Sequence, residues 1–196
     1  MRRPLSIIII ISCICNIACR KFIQVGAPIM SVNQENVYTS NSNAISVVTG
    51  VYTKMSSSGF SLNMSIYPDL SADNLTLFDL MNAYAKQYYQ NNLNSKYQGA
   101  NYVFWFDIYT YIYDVNAAIE GLNKSTTLTS SIKQRLLGEV YFMRAFFNFY
   151  LTNLYGNIPL ITTTDYSVNS TLENSEVNTI YENIVADLKK AQDLLD

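Results

Sequence analysis

The sequence predicts an all-α protein, and three observations carry that prediction. The segments Asn41–Met55 and Val177–Leu195 repeat apolar residues at the 3, 4, 7 spacing of an amphipathic helix. Tyr102–Leu122 and Ser131–Tyr155 are rich in aromatics, strongly periodic, and carry one narrow polar line each. Turn-forming clusters stand where these patterns stop: Ser56-Ser57-Ser58-Gly59, Gly121 with the run Asn123–Thr127, and Gly156 with Pro159.

The chain has 196 residues, 49% of them hydrophobic and 14% charged, with a formal net charge of -2. That length suits one domain with a substantial core, or part of a larger one. No cluster of Lys and Arg offers a surface for phosphates, which argues against nucleic acid as a partner. The sequence contains no histidine. The usual general base, the Ser–His and Cys–His nucleophile pairs and the commonest zinc ligand are therefore missing, so no catalytic residue, cofactor or metal is expected.

At the N-terminus, Arg2 and Arg3 precede an apolar run from Leu5 to Ile11, then small residues and all three cysteines, Cys13, Cys15 and Cys19. This is the pattern of a secretory signal peptide over residues 1–19. The run is too short to span a bilayer, which takes roughly 20 apolar residues. Ala18-Cys19 sets a small residue before a cysteine, as in a bacterial lipoprotein signal. Asn16 departs from the aliphatic residue usual at that point, whereas Cys13 obeys the rule but leaves a very short apolar region. Acylation of Cys19 would anchor the protein to a membrane without spanning it. It would also leave no other cysteine, hence no disulfide. A plain cleaved signal with incidental cysteines is the alternative.

In Asn41–Met55, the residues Ala44, Val47, Val48, Val51, Tyr52 and Met55 share one face. From there to about Gly99, Asn, Ser, Asp and Tyr dominate. This reads as a long, partly helical excursion, and such excursions on helical scaffolds often carry function. Tyr102–Leu122 sets Asp107, Thr110 and Asp114 on its polar line, and Ser131 with Gln134 resembles a capping box for the next helix. In that helix Arg144, Asn148 and Thr152 fall four apart among apolar and aromatic neighbours. A helix so apolar is buried in protein or in lipid. Lipid is disfavoured, because Glu139 and Arg144 would each cost about 3 kcal/mol or more inside the span. The segment is read as a core helix packed antiparallel on Tyr102–Leu122. In Val177–Leu195 the apolar face is Val177, Ile180, Ile184, Leu188, Ala191 and Leu195, with Glu182, Asp187, Lys189 and Lys190 assigned to the opposite side. That face needs partners, which gives the expectation that the chain is the N-terminal portion of a longer protein. No convincing internal repeat is present, although "LGEVY" and "AFFNF" echo parts of the tetratricopeptide pattern.

Individual side chains admit two readings each. Arg144 is either a ligand clamp or, the favoured reading, half of a buried ion pair answered by Asp107 or Asp114 on the preceding helix. Trp105 is a sugar platform or, the favoured reading, a core residue four positions before Tyr109. Tyr88, Tyr89, Tyr97 and Tyr102 are the better candidates for exposed aromatics. Asp69, Asp73 and Asp79 have neither the spacing of an EF-hand nor any demonstrable pairing as glycosidase carboxylates.

Five segments, in order, resemble one known family: CRKFIQVGAP at Cys19, GVYTKM at Gly50, WFDIYTYIYDVNAAIEGL from Trp105, GEVYFMRAFFNFYLTNLYGNIPLI from Gly138 and IYENIVADLKKAQDLL from Ile180. Together they resemble the N-terminal part of the SusD/RagB outer-membrane nutrient-binding lipoproteins, and the region Ser56–Gly99 is least alike. The resemblance implies a SusD-like fold of tetratricopeptide-like antiparallel helix pairs with a long irregular loop excursion, over residues 20–196, with the C-terminal half absent. It implies a lipoprotein acylated at Cys19 on the outer membrane and exposed at the cell surface. Such a protein binds oligosaccharides without catalysis and delivers them to a SusC-like TonB-dependent barrel.

Sugar binding needs an aromatic face for the C–H side of the ring and planar amides or carboxylates for its hydroxyls. The excursion supplies both in "YPDLSADNLTLFDLMNAYAKQYY". Alignment of the starch-binding member on Asp73 puts Leu77 and Asp79 where that protein has tryptophans, and Asn82 near its asparagine. Two aromatic platforms are thus replaced, with Phe78 or Tyr84 as substitutes. The implied ligand-binding set is Asp73, Asn74, Phe78, Asp79, Asn82 and Tyr84. A helical protein-interaction scaffold and an extracellular glycoside hydrolase are the alternative functions.

Overall fold

The computed structural model describes residues 37–79, 81–93 and 102–196. The signal peptide and Cys19 lie outside the described residues, as does Tyr97. Among the described residues the chain is mostly helical, in agreement with the all-α expectation. A short turn of 3-10 helix at Val37–Thr39 leads into α1 (Asn41–Ser57). Then come α2 (Phe60–Ser71), α3 (Ala83–Tyr89), a π-helical turn at Tyr102–Phe106 that runs directly into α4 (Asp107–Lys124), and α5 (Ser130–Tyr155). After α5 lie β1 (Ile158–Pro159), the one-turn α6 (Tyr166–Asn169), β2 (Asn174–Ser175) and α7 (Val177–Leu195). β1 and β2 form a two-residue antiparallel ladder, Ile158 opposite Ser175.

α5 is the central helix. On one side it packs antiparallel on α4: Arg144 meets Asn116, Phe147 meets Tyr111 at 5.4 Å between ring centres, and Tyr155 meets Trp105 at 5.2 Å. Trp105 also lies 5.0 Å from Tyr109 and packs on the core, as its spacing predicts. On the other side α5 packs antiparallel on α7, where Gly138 lets the two helices close. A methyl group there would sit 2.6 Å from Leu195 Cγ and 3.3 Å from the Ala191 carbonyl oxygen. α5 stops at Gly156, whose φ of 75° is open to glycine without a Cβ penalty.

Two boundary expectations and one pairing expectation change. Gly121 does not end α4, which runs on to Lys124. The Tyr38 ring occupies the space a Cβ at Gly121 would take, so that glycine serves close approach rather than termination. The cap of α5 is Thr129, not Ser131. The Asn41 side chain does the capping from α1: its Oδ1 accepts from Thr129 N at 3.1 Å and its Nδ2 donates to Thr129 Oγ1 at 2.7 Å. The third change concerns Arg144. Arg144 is 6% exposed, and its guanidinium is not answered by Asp107 or Asp114. Nε and Nη2 donate to the two carboxylate oxygens of Asp187 on α7, at 2.7 and 2.8 Å. Nη1 donates to Asn116 Oδ1 at 2.9 Å.

The reason lies in the phase of α7. Its buried line is Ile180, Ile184, Asp187 and Ala191, spaced 4, 3 and 4, whereas Leu188 is exposed. Asp187 therefore occupies a core position and is itself fully buried. The acidic line on α4 points toward α1, where Asp114 pairs with Lys54 at 2.7 Å.

Candidate functional site

The excursion after α1 is fastened to the core before it turns outward. Gly59, with φ of 75°, swings the chain into α2. Phe60 then enters an aromatic cluster, edge-on to Phe104, Tyr111 and Phe147 at 5.3 to 6.4 Å. Tyr67 and Tyr88 join it, 4.8 Å apart, each 5.9 Å from Phe104. Tyr88 is thus fully buried and Tyr89 partly so, against the expectation that both are exposed aromatics. Burial raises the Tyr88 hydroxyl far above the ordinary tyrosine value, with the Tyr155 hydroxyl beside it adding to the effect. At Tyr102 only the backbone is described, in the π turn.

Between these anchors runs a loop over residues 72–82 whose two ends are stapled together. Ser71 Oγ donates to the Tyr88 carbonyl at 3.0 Å, and Asn91 Nδ2 donates to the Ser71 carbonyl at 3.1 Å. At the loop's start, Asn74 N and Leu75 N both donate to the Asp69 carbonyl, and Asn74 Nδ2 donates to Asp69 Oδ1 at 3.2 Å. Asp73 takes the left-handed conformation, φ 58°, that lets the chain leave α2. Leu77 packs inward on the core. Asp79 Oδ1 accepts from Met81 N at 3.0 Å, and the Asp79 carbonyl accepts from Asn82 N at 3.3 Å. Asn82 Oδ1 caps α3 by accepting from Tyr84 N and Ala85 N at 3.2 and 3.0 Å.

The six residues singled out from the sequence therefore fall into two groups. Asp79, Asn82 and Tyr84 share one hydrogen-bonded turn, while Asp73 and Asn74 are tied to the end of α2. Phe78 stands between them, 100% exposed, flanked by the inward Leu77 and the bonded Asp79. Met81 is 91% exposed and Tyr84 46%. The bonding leaves a specific chemistry free. Asp79 keeps Oδ2 as an acceptor, Asn82 keeps its NH2 as a donor, and Phe78 offers an uncovered ring face. No group of three or more Asp, Glu or Cys among the described residues is placed to hold a metal ion. No helix among them is long and apolar enough to cross a membrane.

Comparison with known proteins agrees with this architecture. Residues 21–196 match the family model SusD-like_3, described as "Starch-binding associating with outer membrane". The chain belongs to the SusD-like family. Among solved structures it is similar to a SusD-like protein from Bacteroides fragilis, with a TM-score of 0.65 and 24% sequence identity. The match covers 86% of this chain and 32% of that one, so the chain spans about a third of its neighbour's length. No curated protein matches it. At that identity the neighbour supports the helical fold, and the family model supplies the link to glycans and the outer membrane.

Residues that pattern reading missed are Asp187 and Asn116, which complete the Arg144 cluster, and Glu120. Glu120 Oε1 accepts from the Thr163 hydroxyl and Thr164 N at 3.0 and 2.8 Å, and Oε2 from the Thr164 hydroxyl at 2.7 Å. The three consecutive threonines were the available signal, since hydroxyls beside a free backbone N–H suit a carboxylate. Their bonds join α4, α5, α7 and the connection after α5, which is structural work.

Proposed function

We propose that the chain is the helical scaffold and first ligand-contacting loop of a non-catalytic, lipid-anchored glycan-binding protein of the outer membrane. Its cargo would be an oligosaccharide passed to a SusC-like TonB-dependent barrel, with Cys19 as the acylated anchor. The match of residues 21–196 to a family described as starch-binding and associated with the outer membrane carries this reading. The loop supports it, because a fully exposed phenylalanine on a backbone fastened at both ends is a platform that loses little freedom when a sugar stacks on it. Asp73, Asn74, Asp79, Asn82 and Tyr84 are the polar and aromatic partners proposed around Phe78.

Titration calorimetry against a panel of neutral and charged oligosaccharides, with Phe78→Ala alongside, tests it. The expected result is binding without turnover, weakened about tenfold by Phe78→Ala with thermal stability unchanged, since the ring packs on nothing. Release of shortened sugars would favour the hydrolase. A second reading, a helical protein-interaction scaffold, draws on Phe142, Phe149, Val185 and Leu188, which stay exposed along α5 and α7. Capture of the barrel with no affinity for any sugar would favour it.

A further inference from the structure

The seam between α5 and α7 carries the polar contacts Arg144–Asp187 and Asn153–Tyr181, and the step between them is unanswered. Its register follows from three observations. Arg144 meets Asp187, Gly138 lies under Ala191 and Leu195, and Asn153 exchanges hydrogen bonds with the Tyr181 hydroxyl at 3.0 and 3.2 Å. The helices are antiparallel, so each turn forward on α5 is a turn back on α7. One turn beyond Arg144 is Asn148, and one turn before Asp187 is Asn183. The register sets these two asparagines opposite each other, between the ion pair and the Asn153–Tyr181 contact.

Both are anomalous. Asn148 is fully buried, and neither its Oδ1 nor its Nδ2 has a hydrogen-bond partner among the described residues. Asn183 Oδ1 is likewise buried without a partner. Three of the buried polar atoms without a partner thus belong to two side chains that the register brings together, in a core where most buried polar groups are satisfied. The amides do not bond each other directly. A water molecule both donates and accepts, so it answers both side chains whichever way each amide is turned.

We infer that the α5–α7 seam contains an internal water site bridging Asn148 and Asn183, as the middle rung between Arg144–Asp187 and Asn153–Tyr181. This site is independent of any glycan and belongs to the scaffold. It makes the seam polar at three successive levels, which ties α7 to a single register. A slip of one turn would strand the guanidinium and both amides together.

Two measurements on the full chain decide it. The first is a double-mutant cycle of Asn148→Leu and Asn183→Leu by thermal denaturation. A bridged pair predicts that each single replacement lowers Tm, because it strands the opposite amide, and that the double variant recovers part of the loss. Independent orphans predict the reverse, a Tm that rises with each replacement and adds in the double; that outcome overturns the bridge. The second is oxygen-17 relaxation dispersion, which counts long-lived internal waters and needs only the wild type and the milder Asn183→Leu variant. Loss of one long-lived water in that variant supports the site. An unchanged count, even with a coupled cycle, overturns the water in favour of a direct amide contact.

Discussion

Arg144 shows how one side chain can be correctly identified as structural and still be assigned the wrong partner. Its guanidinium is held by both oxygens of Asp187 and by Asn116, all buried. It also lies 5.4 Å from the Tyr141 ring centre. Removing one partner of such a pair leaves the other as an uncompensated buried charge, which costs about 3–5 kcal/mol. Arg144→Ala and Asp187→Ala are each expected to unfold the chain or lower its Tm by 10 °C or more, roughly the scale for that loss in a domain of this size. Asp114→Ala is the contrast. It breaks a half-exposed pair with Lys54 worth about 0–1 kcal/mol, so denaturation should barely shift. If Asp114→Ala proved as damaging as Asp187→Ala by circular dichroism melts, the assignment of partners would fail. The sequence showed that Arg144 needs a carboxylate; which one depended on a rotation of α7 by one residue, and Asp187 and Leu188 are adjacent.

At the scale of the element, the helical glycines Gly50 and Gly121 look alike in the sequence and play opposite parts. Gly50 sits in α1 with nothing within 4 Å of where a Cβ would be. Gly50→Ala is therefore expected to stabilise by about 0.5–1 kcal/mol, the ordinary gain for alanine in a helix. Gly121 in α4 lies against the Tyr38 ring, so Gly121→Ala must push that ring aside. The displaced contacts include the Val37–Thr39 turn, whose Tyr38 and Thr39 carbonyls accept from Ser125 and Thr127 hydroxyls. The net effect should be a loss of about 1–2 kcal/mol despite the better helix former. Opposite shifts of the urea midpoint check the pair, and equal shifts would contradict the structure. The long helices α1, α4, α5 and α7 were legible, because 3.6-residue periodicity is a local property, whereas α2 and α3 fell in a stretch whose pattern showed only partial helicity. The capping of α5 by Asn41 was not, since its two partners are 88 residues apart.

On the scale of the whole molecule, the long connection from α5 to α7 is fastened across the fold by Glu120. Burial works against its charged form, but bonds from Thr164 N, the Thr164 hydroxyl and the Thr163 hydroxyl hold its pKa below the ordinary value of 4.5. A depressed carboxyl contributes stability that is fully present above its unfolded value and is lost as pH falls through its folded value. The Tm difference between wild type and Glu120→Gln should accordingly be constant above pH 4.5 and narrow below it. A difference that stays constant into more acid solution would remove Glu120 from that role. The candidate binding loop was legible only in part. The resemblance to the starch-binding member pointed to Asp79 and Asn82, with Phe78 as a substitute platform, yet the abundant tyrosine suggested Tyr88 as an exposed ring, and the structure uses Tyr88 to anchor the loop. By itself the sequence determined the four long helices, the place of α5 in the core, the burial of Arg144 and the family, because these follow from periodicity, local stops and the order of motifs. Only the tertiary structure decided which acid meets the arginine, which tyrosines turn inward and which loop atoms stay free. Those depend on helix phase and on contacts between residues far apart in the chain, which no local pattern encodes.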